Sequence, residues 1–193
     1  MRYEKGRKDT SRRRIIEVAS ARFRNEGIAA TGLATVMSDA GLTNGAFYPH
    51  FQSKAELVRE SVVAALDDQS KLLQEIIASG GLGAAIAAYL SAEHRDNLKT
   101  GCVSAALLPE IARQPHETRQ VYTERAMTLV RQVAAALPPQ TSDPEGVALG
   151  IFAALIGALE LARAVEGTAL SDRILAAGTQ AARALVQSHQ DKE

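Results

Sequence analysis

Several residue types are rare in this chain of 193 residues, and each scarcity excludes a class of protein. The sequence has one cysteine, Cys102, so it can form no internal disulfide, and one thiol cannot build a cysteine-rich zinc site. It has no tryptophan, which disfavours an aromatic cage for a large cationic ligand and favours a small or aliphatic one. So little cysteine is typical of a reducing compartment, and we expect a cytoplasmic protein.

Sequence signatures of catalysis are missing as well. The chain contains no glycine-rich phosphate loop, no GxSxG motif and no HExxH motif. Glu160 and Arg163 lie three residues apart on an apolar segment, a spacing typical of an ion pair at a solvent-exposed edge. The histidines do not have the spacing of metal ligands; they are His50, His94, His116 and His189. We therefore expect no enzyme, and neither a bound metal nor a cofactor.

Charge is balanced over the whole chain but not along it. The sequence has 22 Lys and Arg against 22 Asp and Glu, and residues 1–60 contain 11 of the former and 7 of the latter. A basic first third is typical of a nucleic-acid-binding head. No apolar segment of a signal peptide follows the charged N-terminus, and the longest apolar run, 146–159, is expected to be too short to span a bilayer. These features predict a soluble protein.

Apolar residues recur with helical spacing along the chain, and no segment alternates as a β-strand does. Thr10 or Ser11 is expected to cap a first helix that ends near Gly27. The apolar face of this helix should consist of Ile15, Ala19 and Phe23. Two short helices are predicted after it, at 33–40 and 44–50.

The rest of the chain is also predicted to be helical, so the fold class is all-α. Ser53 and Glu56 form a capping-box pattern at the start of a long fourth helix, which GGLG at 80–83 should interrupt. Asp143 followed by Pro144 is typical of a capped helix start. Further helices are predicted at 84–98, 102–113, 117–136, 144–164 and 171–187.

The two short helices and the turn at Gly41 form a helix-turn-helix, a motif whose second helix enters the major groove of DNA. Gly41 can adopt the positive φ that such a turn needs. Aromatic residues make up 4% of the sequence, yet Phe47, Tyr48 and Phe51 occur within five residues. The two phenylalanines are expected to pack the inside of the head, and Tyr48 to point the other way. The pattern predicts a DNA-binding head.

Position along this motif predicts which side chains contact DNA. The helix N-terminus reaches base edges, and glycine and alanine there let the backbone approach closely. Hydroxyl and imidazole groups further along suit phosphate oxygens. Lys54 lies in the first turn of the next helix. A phosphate bound there would pair with its ammonium group and accept hydrogen bonds from free backbone N–H groups. A solvated lysine is the alternative. With Thr43 as the helix cap, the predicted contacts are Thr43, Asn44, Gly45, Ala46, Tyr48, His50 and Lys54.

The stretch GLTNGAFYPHFQSKAEL, residues 41–57, resembles the TetR family of bacterial transcription regulators. The head of that family has roughly the pattern Ala-Gly-Val-Ser-x-Gly-x-Leu-Tyr-x-His-Phe-x-x-Lys-x-x-Leu. The matching residues are Ala40, Gly41, Gly45, Tyr48, His50, Phe51, Lys54 and Leu57. Gly32 lies where the family usually has Thr or Ser, which makes Thr31 the candidate for that phosphate contact. Pro49 lacks an N–H group and should end the third helix early.

The resemblance implies a homodimer whose two heads bind one face of a roughly palindromic DNA operator. It implies an N-terminal three-helix DNA-binding domain over residues 1–52 and a C-terminal helical effector-binding and dimerisation domain over 53–193. The basic segment 7–14 would then contact phosphates or the minor groove, or form a disordered tail. The implied function is a one-component repressor that a small-molecule effector releases from DNA.

The C-terminal two-thirds suit this assignment. Segment 144–164 is apolar around its whole circumference and must be buried on more than one side. A dimer interface formed together with 171–187 would bury it, and so would the core of a monomeric bundle. The middle helices of the family enclose the effector. Candidates for that pocket, each of which could equally be plain core, are Tyr89, His94, Cys102, Leu107, Tyr122, Met127 and Phe152.

Two alternative functions stay open. Cys102 lies at the expected start of a helix near Arg95 and Lys99, an environment that favours a reactive thiolate, so the chain could sense oxidants or electrophiles. A small buried side chain is the competing interpretation of Cys102. The second alternative is a helical interaction module that binds no DNA.

Overall fold

The computed structural model describes residues 2–187 and, among these, the side chains of all but 2–5 and 7. This range contains eight α-helices, one turn of 3₁₀ helix and no β-strand, which confirms the all-α prediction. The 3₁₀ turn spans Asn44–Ala46. The α-helices are α1 (Arg2–Glu26), α2 (Leu33–Asp39), α3 (Lys54–Tyr89), α4 (Ala92–Asp96), α5 (Val103–Ile111), α6 (His116–Ala135), α7 (Pro144–Ala164) and α8 (Thr168–Gln187).

The helices group into two compact units. The head unit combines the N-terminal residues through Asp67 with Leu98–Glu124. The body unit combines Asp68–Asn97 with the residues from Arg125 onward. The head unit therefore includes α5 and the first part of α6, which follow the predicted domain boundary at residue 52 in the sequence. That boundary stays a prediction.

The head unit is built around one apolar face of α1. Ile15, Ala19 and Phe23 are all buried, which confirms the predicted stripe. Phe47 and Phe51 are buried in the same unit, and their rings stack with centroids 5.5 Å apart. Burying an aromatic side chain of this size contributes roughly 1.5–3 kcal/mol, so these few rings are a large part of the stability of a small head.

The first helix begins earlier than its sequence predicts. α1 starts at Arg2, so Thr10 lies inside the helix, where its hydroxyl donates to the Gly6 carbonyl at 2.8 Å. The prediction that Thr10 or Ser11 caps this helix is therefore wrong. Arginine and lysine are strong helix formers, and their abundance here extends the helix toward the N-terminus. The basic segment 7–14 is consequently helical and not a disordered tail, and its contact with DNA stays a prediction.

The predicted third helix ends early, as expected from Pro49, and it is a 3₁₀ turn where an α-helix was predicted. The 3₁₀ turn Asn44–Ala46 is followed by tight turns in which the amides of His50 and Phe51 both donate to the Phe47 carbonyl, at 2.9 and 3.1 Å. Pro49 explains the difference, because it has no N–H group with which to continue an α-helix.

The glycine-rich segment 80–83 interrupts α3, as its sequence predicts. Gly81 has a φ of 73° and a ψ of −178°, which are not helical values, so α3 consists of two helical limbs that meet at a kink. The helix predicted to begin at residue 84 is therefore the second limb of α3. Ser91 then caps the short α4, because its hydroxyl accepts a hydrogen bond from the His94 amide at 3.1 Å.

Helix α7 has the cap that its sequence predicts. The Asp143 carboxylate accepts a hydrogen bond from the Gly146 amide at 3.0 Å, and Pro144 occupies the first turn. By length and composition, α3 and α7 are both long and apolar enough to cross a membrane, but the core helix of a soluble protein meets the same criterion. Leu159 is completely buried, as in the core helix of a globular protein.

Two arginines join α4, α7 and α8 within the body unit. Arg163 donates to the carbonyls of His94 and Arg95, at 2.8 and 3.0 Å. Arg95 in turn donates to Ser171 and Asp172 of α8, at 3.0 and 2.7 Å. Arg163 thus closes the C-terminal end of α4, whereas its sequence spacing predicts an exposed ion pair.

Helices α7 and α8 approach closely at Gly178, where an added Cβ atom would collide with the Cβ of Ala158. We expect Gly178→Ala to lower the free energy of unfolding by about 1–3 kcal/mol, because the two helices would have to move apart. Gly83→Ala is the control, since its Cβ would meet nothing within 4 Å and alanine favours helix. Urea unfolding measures both variants, and equal losses of stability would contradict the close approach.

Candidate nucleic-acid interface

The turn after α2 sets the direction of the segment that follows. α2 ends at Ala40, and Gly41 has a φ of 74°, in the left-handed region that glycine adopts at little cost. The Leu42 amide then donates back to the Met37 carbonyl at 2.9 Å. This hydrogen-bonded helix end is typical of a glycine cap, and it produces the predicted helix-turn-helix.

The segment after the turn has a buried side and an exposed side. Phe47 is 1% exposed, whereas Tyr48 is 73% exposed and its ring stands edge-on against the Phe47 ring, with centroids 5.4 Å apart. Ala46 and His50 are half-buried. The other exposed residues of the segment that are predicted to contact DNA are Thr43, Asn44 and Gly45. Six of the eight predicted contacts therefore lie on one short, outward-facing stretch of chain.

Thr43 occupies the N-cap position of the 3₁₀ turn but does not cap it with its side chain. The Ala46 amide, which a hydroxyl cap would engage, donates to the backbone carbonyl of Thr43 at 3.0 Å. The Thr43 hydroxyl makes no capping hydrogen bond within the described residues. The predicted capping role is therefore wrong, and Thr43 is an exposed residue.

His50 lies in a positively charged environment at the edge of this segment. Burial lowers the pKa of His50, and the nearby cations of Lys8 and Arg12 lower it further. Its Nδ1 atom is buried and has no hydrogen-bond partner in the part of the chain that the structure describes. The free head therefore favours neutral imidazole, and an anion placed beside the ring would favour the protonated form.

Two predicted contacts are engaged inside the head. Thr31 is 1% exposed, and its hydroxyl donates to the Gly27 carbonyl at 2.7 Å. The half-buried Lys54 donates from Nζ to the Ile28 carbonyl at 2.6 Å. Both side chains thus hold the connection between α1 and α2, residues 27–32, which we call the α1–α2 turn. Their contact with DNA stays a prediction, and in this conformation Thr31 has almost no surface to offer a phosphate.

Glu110 of α5 makes hydrogen bonds to the same turn. Its two carboxylate oxygens accept hydrogen bonds from the amides of Ile28 and Ala29, at 3.1 and 2.9 Å. Gly27 permits this approach, because its φ is 88° and an added Cβ would lie 2.8 Å from a Glu110 oxygen. Hydrogen bonds to an ionised acceptor are the stronger kind. Sequence analysis missed Glu110, since its partners are 82 and 81 residues away in the chain.

The start of α3 is fixed by its predicted capping box. The Ser53 hydroxyl accepts from the Glu56 amide at 3.1 Å, and the Glu56 carboxylate accepts from the Gln52 amide at 2.6 Å. Arg12 of α1 lies 3.8 Å from the Glu56 carboxylate, and its guanidinium carbon is 4.7 Å from the centroid of the Phe51 ring. Arg12 therefore ties α1 to the end of the helix-turn-helix.

The predicted effector-pocket residues belong to both units. In the head unit, the hydroxyls of Ser104 and Tyr122 are 2.9 Å apart, and burial raises the pKa of Tyr122. In the body unit, the His94 ring stands edge-on to Tyr89, with centroids 4.7 Å apart, and burial lowers the pKa of His94. The head unit contains Cys102, Leu107 and Tyr122, and the body unit contains Tyr89, His94, Met127 and Phe152. Their role as a pocket stays a prediction.

Cys102 occupies the N-cap position of α5 and is buried. A thiol must be accessible to react with an oxidant, so this burial does not favour the redox alternative, which stays a prediction. No group of three His, Cys, Asp or Glu residues that could bind a metal occurs between residues 2 and 187. His189 lies outside the described residues.

Comparisons with known proteins agree with this geometry. Residues 15–61 match the model of the family described as bacterial regulatory proteins, tetR family. The HTH-type transcriptional repressor KstR2 of Rhodococcus jostii is 34% identical over 73 residues, which are 38% of this chain and 36% of that protein. The HTH-type transcriptional regulator TtgR of Pseudomonas putida is 49% identical over 49 residues, which are 25% of this chain and 23% of that protein.

The chain thus aligns with little more than a third of the first relative and less than a quarter of the second. The similarity of solved structures extends further. A TetR-family transcriptional regulator from Cytophaga hutchinsonii has a TM-score of 0.78 at 18% identity, over 97% of this chain and 98% of that one. At this identity the match establishes the shared fold alone.

The Glu110 contact predicts a local effect that hydrogen exchange can detect. Glu110→Gln keeps one carbonyl oxygen but turns an amide NH₂ toward a backbone N–H, so one of the two amides should lose its hydrogen bond to a charged acceptor, at a cost of about 1.5–3 kcal/mol. We expect the amides of Ile28 and Ala29 to exchange at least about tenfold faster. Glu117→Gln, at an exposed position of α6, is the control. Unchanged exchange in Glu110→Gln would contradict the contact.

Proposed function

We propose that this chain, a member of the TetR family of bacterial regulators, is a one-component DNA-binding repressor of transcription that acts in the cytoplasm. The observation that carries the proposal is the exposed segment after Gly41, where Tyr48 points outward over a buried Phe47. Exposing an aromatic ring of this size has no benefit for folding, but its hydroxyl suits a phosphate oxygen. The name of the relative KstR2, a transcriptional repressor, supports the sign of regulation.

The exposed segment would bind in the major groove. Asn44 and Gly45 lie at its N-terminal end, where an amide can bond to base edges and a glycine lets the backbone approach. Tyr48 and His50 would bind the flanking phosphates, and Lys54 would join them while it keeps its hydrogen bond to the Ile28 carbonyl. Phosphate contacts make binding depend on salt, whereas contacts to bases provide the sequence preference.

The functional unit would be a homodimer. Leu149 and Leu161 of α7 and Leu170 of α8 are large apolar side chains that are 45%, 58% and 48% exposed in the single chain. Apolar side chains of this size on two adjacent helices are typical of a surface that a second copy covers. Pairing α7 and α8 with their twins would place two heads on one duplex, which requires an operator with two-fold symmetry.

A small-molecule effector would act through the C-terminal domain, residues 53–193, on the head domain, residues 1–52. The effector would bind in the C-terminal domain and favour a head spacing that no longer fits the operator. Glu110 would link the two domains directly, because it belongs to the C-terminal domain in sequence and makes hydrogen bonds to the α1–α2 turn of the head. A shift of α5 would therefore move the end of α1 and the start of α2 together.

DNA binding is tested by fluorescence anisotropy with the DNA upstream of the chain's own gene and a scrambled duplex, over a range of salt concentrations. Tyr48→Phe should weaken binding to all duplexes about threefold to tenfold, since it removes a phosphate hydrogen bond. Asn44→Ala should mainly reduce the difference between the two duplexes, because the amide is placed to read bases. Gln74→Ala, exposed on α3 in the body unit, is the control. Equal binding by all four proteins would contradict the assignment.

The affinity for DNA should depend on pH through His50. The pKa of His50 in the free head lies below its ordinary value, and a bound phosphate would raise it, so binding takes up a proton. Affinity should therefore rise as the pH falls from about 8 to about 6, where histidine titrates. His50→Gln should flatten this dependence, whereas the exposed His116→Gln should not. An identical pH profile in His50→Gln would exclude His50 as the titrating contact.

A further inference from the structure

A cleft of about 380 Å³ opens in the head unit beside the α1–α2 turn. Its apolar wall includes Ile28, Ala55 and Val58, and its polar groups include Lys54, Glu110 and Arg113. The volume lies at the small end of the range for ligand sites in proteins. The predicted effector pocket contributes none of these residues, so the cleft is a separate site.

The polar groups of the cleft differ in how many of their hydrogen-bonding positions are already used. Glu110 uses both carboxylate oxygens to accept hydrogen bonds from the α1–α2 turn. Lys54 donates to the Ile28 carbonyl and Arg113 donates from Nη1 to the Pro109 carbonyl at 2.9 Å. Within the part of the chain that the structure describes, these bonds use one of three N–H groups of the ammonium and one of five of the guanidinium. The cleft therefore has spare cationic donors, while its carboxylate is already satisfied.

We propose that this cleft binds a small amphipathic monocarboxylate. The carboxylate would lie between the ammonium of Lys54 and the guanidinium of Arg113, which suits the paired oxygens of a carboxylate. The short apolar part of the ligand would cover the wall formed by Ile28, Ala55 and Val58. An uncharged molecule of the same shape would give neither cation an anionic partner, so charge and an apolar part are both required.

Occupation of the cleft would loosen the head. The ligand carboxylate would attract Lys54 away from the Ile28 carbonyl and place a second negative charge beside Glu110. Both changes weaken the contacts that fix the α1–α2 turn, so the ligand should lower the affinity for DNA. This consequence rests on the proposed function, whereas binding of the carboxylate does not.

Isothermal titration calorimetry of the full chain without DNA tests the site directly. The probes are sodium octanoate and sodium benzoate, with benzamide as the uncharged analogue. We expect saturable binding of a carboxylate at one site per chain, and no binding of benzamide. Arg113→Gln should weaken binding about tenfold, since it removes a charge-assisted hydrogen bond. Arg119→Gln, an exposed arginine of α6, is the matched control and should bind normally.

Ala55→Leu supplies a second test that leaves all charges in place. A leucine at this position would fill part of the cleft, so binding should be lost while the circular dichroism spectrum and melting temperature stay those of a folded protein. The proposal is overturned if neither carboxylate saturates, if benzamide binds equally, or if Arg113→Gln and Ala55→Leu both bind as the original chain does. Selective DNA binding without carboxylate binding would contradict only the proposed carboxylate site. Carboxylate binding without selective DNA binding would contradict only the proposed regulatory function.

Discussion

The hydrogen bonds that fix the α1–α2 turn are the constraint on which the rest of the head depends. Glu110 accepts from two consecutive amides of the turn, and Lys54 donates to a carbonyl between them. These contacts join three elements that are distant in sequence, namely the end of α1, the start of α3 and the last turn of α5. Because α2 begins only a few residues after the turn, its direction follows from the same contacts. The surface that follows α2 is thereby oriented by a residue outside the family's head motif.

The head also depends on how a few aromatic rings are distributed. Phe47 and Phe51 stack inside it, and the guanidinium of Arg12 covers the Phe51 ring from α1. Tyr48 lies between the two phenylalanines in sequence and points outward. This short segment is thus held by its buried rings and exposes a polar hydroxyl to solvent. Such packing keeps the exposed surface rigid without a full helix.

Local patterns in the sequence predicted the fold well, and the site in part. The stripe of α1, the cap of α7 at Asp143 and the capping box at Ser53 each involve residues a few positions apart, so spacing alone identifies them. Two local predictions failed: Thr10 lies within a longer helix, and the Thr43 hydroxyl does not cap the 3₁₀ turn. The early end of the third helix follows from the missing N–H of Pro49, as its sequence predicts. The contact of Glu110 could not be predicted in this way, because its partner lies 82 residues away and no local sequence pattern identifies it.

The central claim is that the exposed helix-turn-helix reads DNA as part of a symmetric dimer. The most direct measurement is selection of bound duplexes from a random library by the full chain, followed by sequencing of the enriched pool. The account predicts enrichment of an inverted repeat whose half-sites lie about one helical turn or more apart. An enriched pool without any shared motif, or with a single unrepeated half-site, would contradict it.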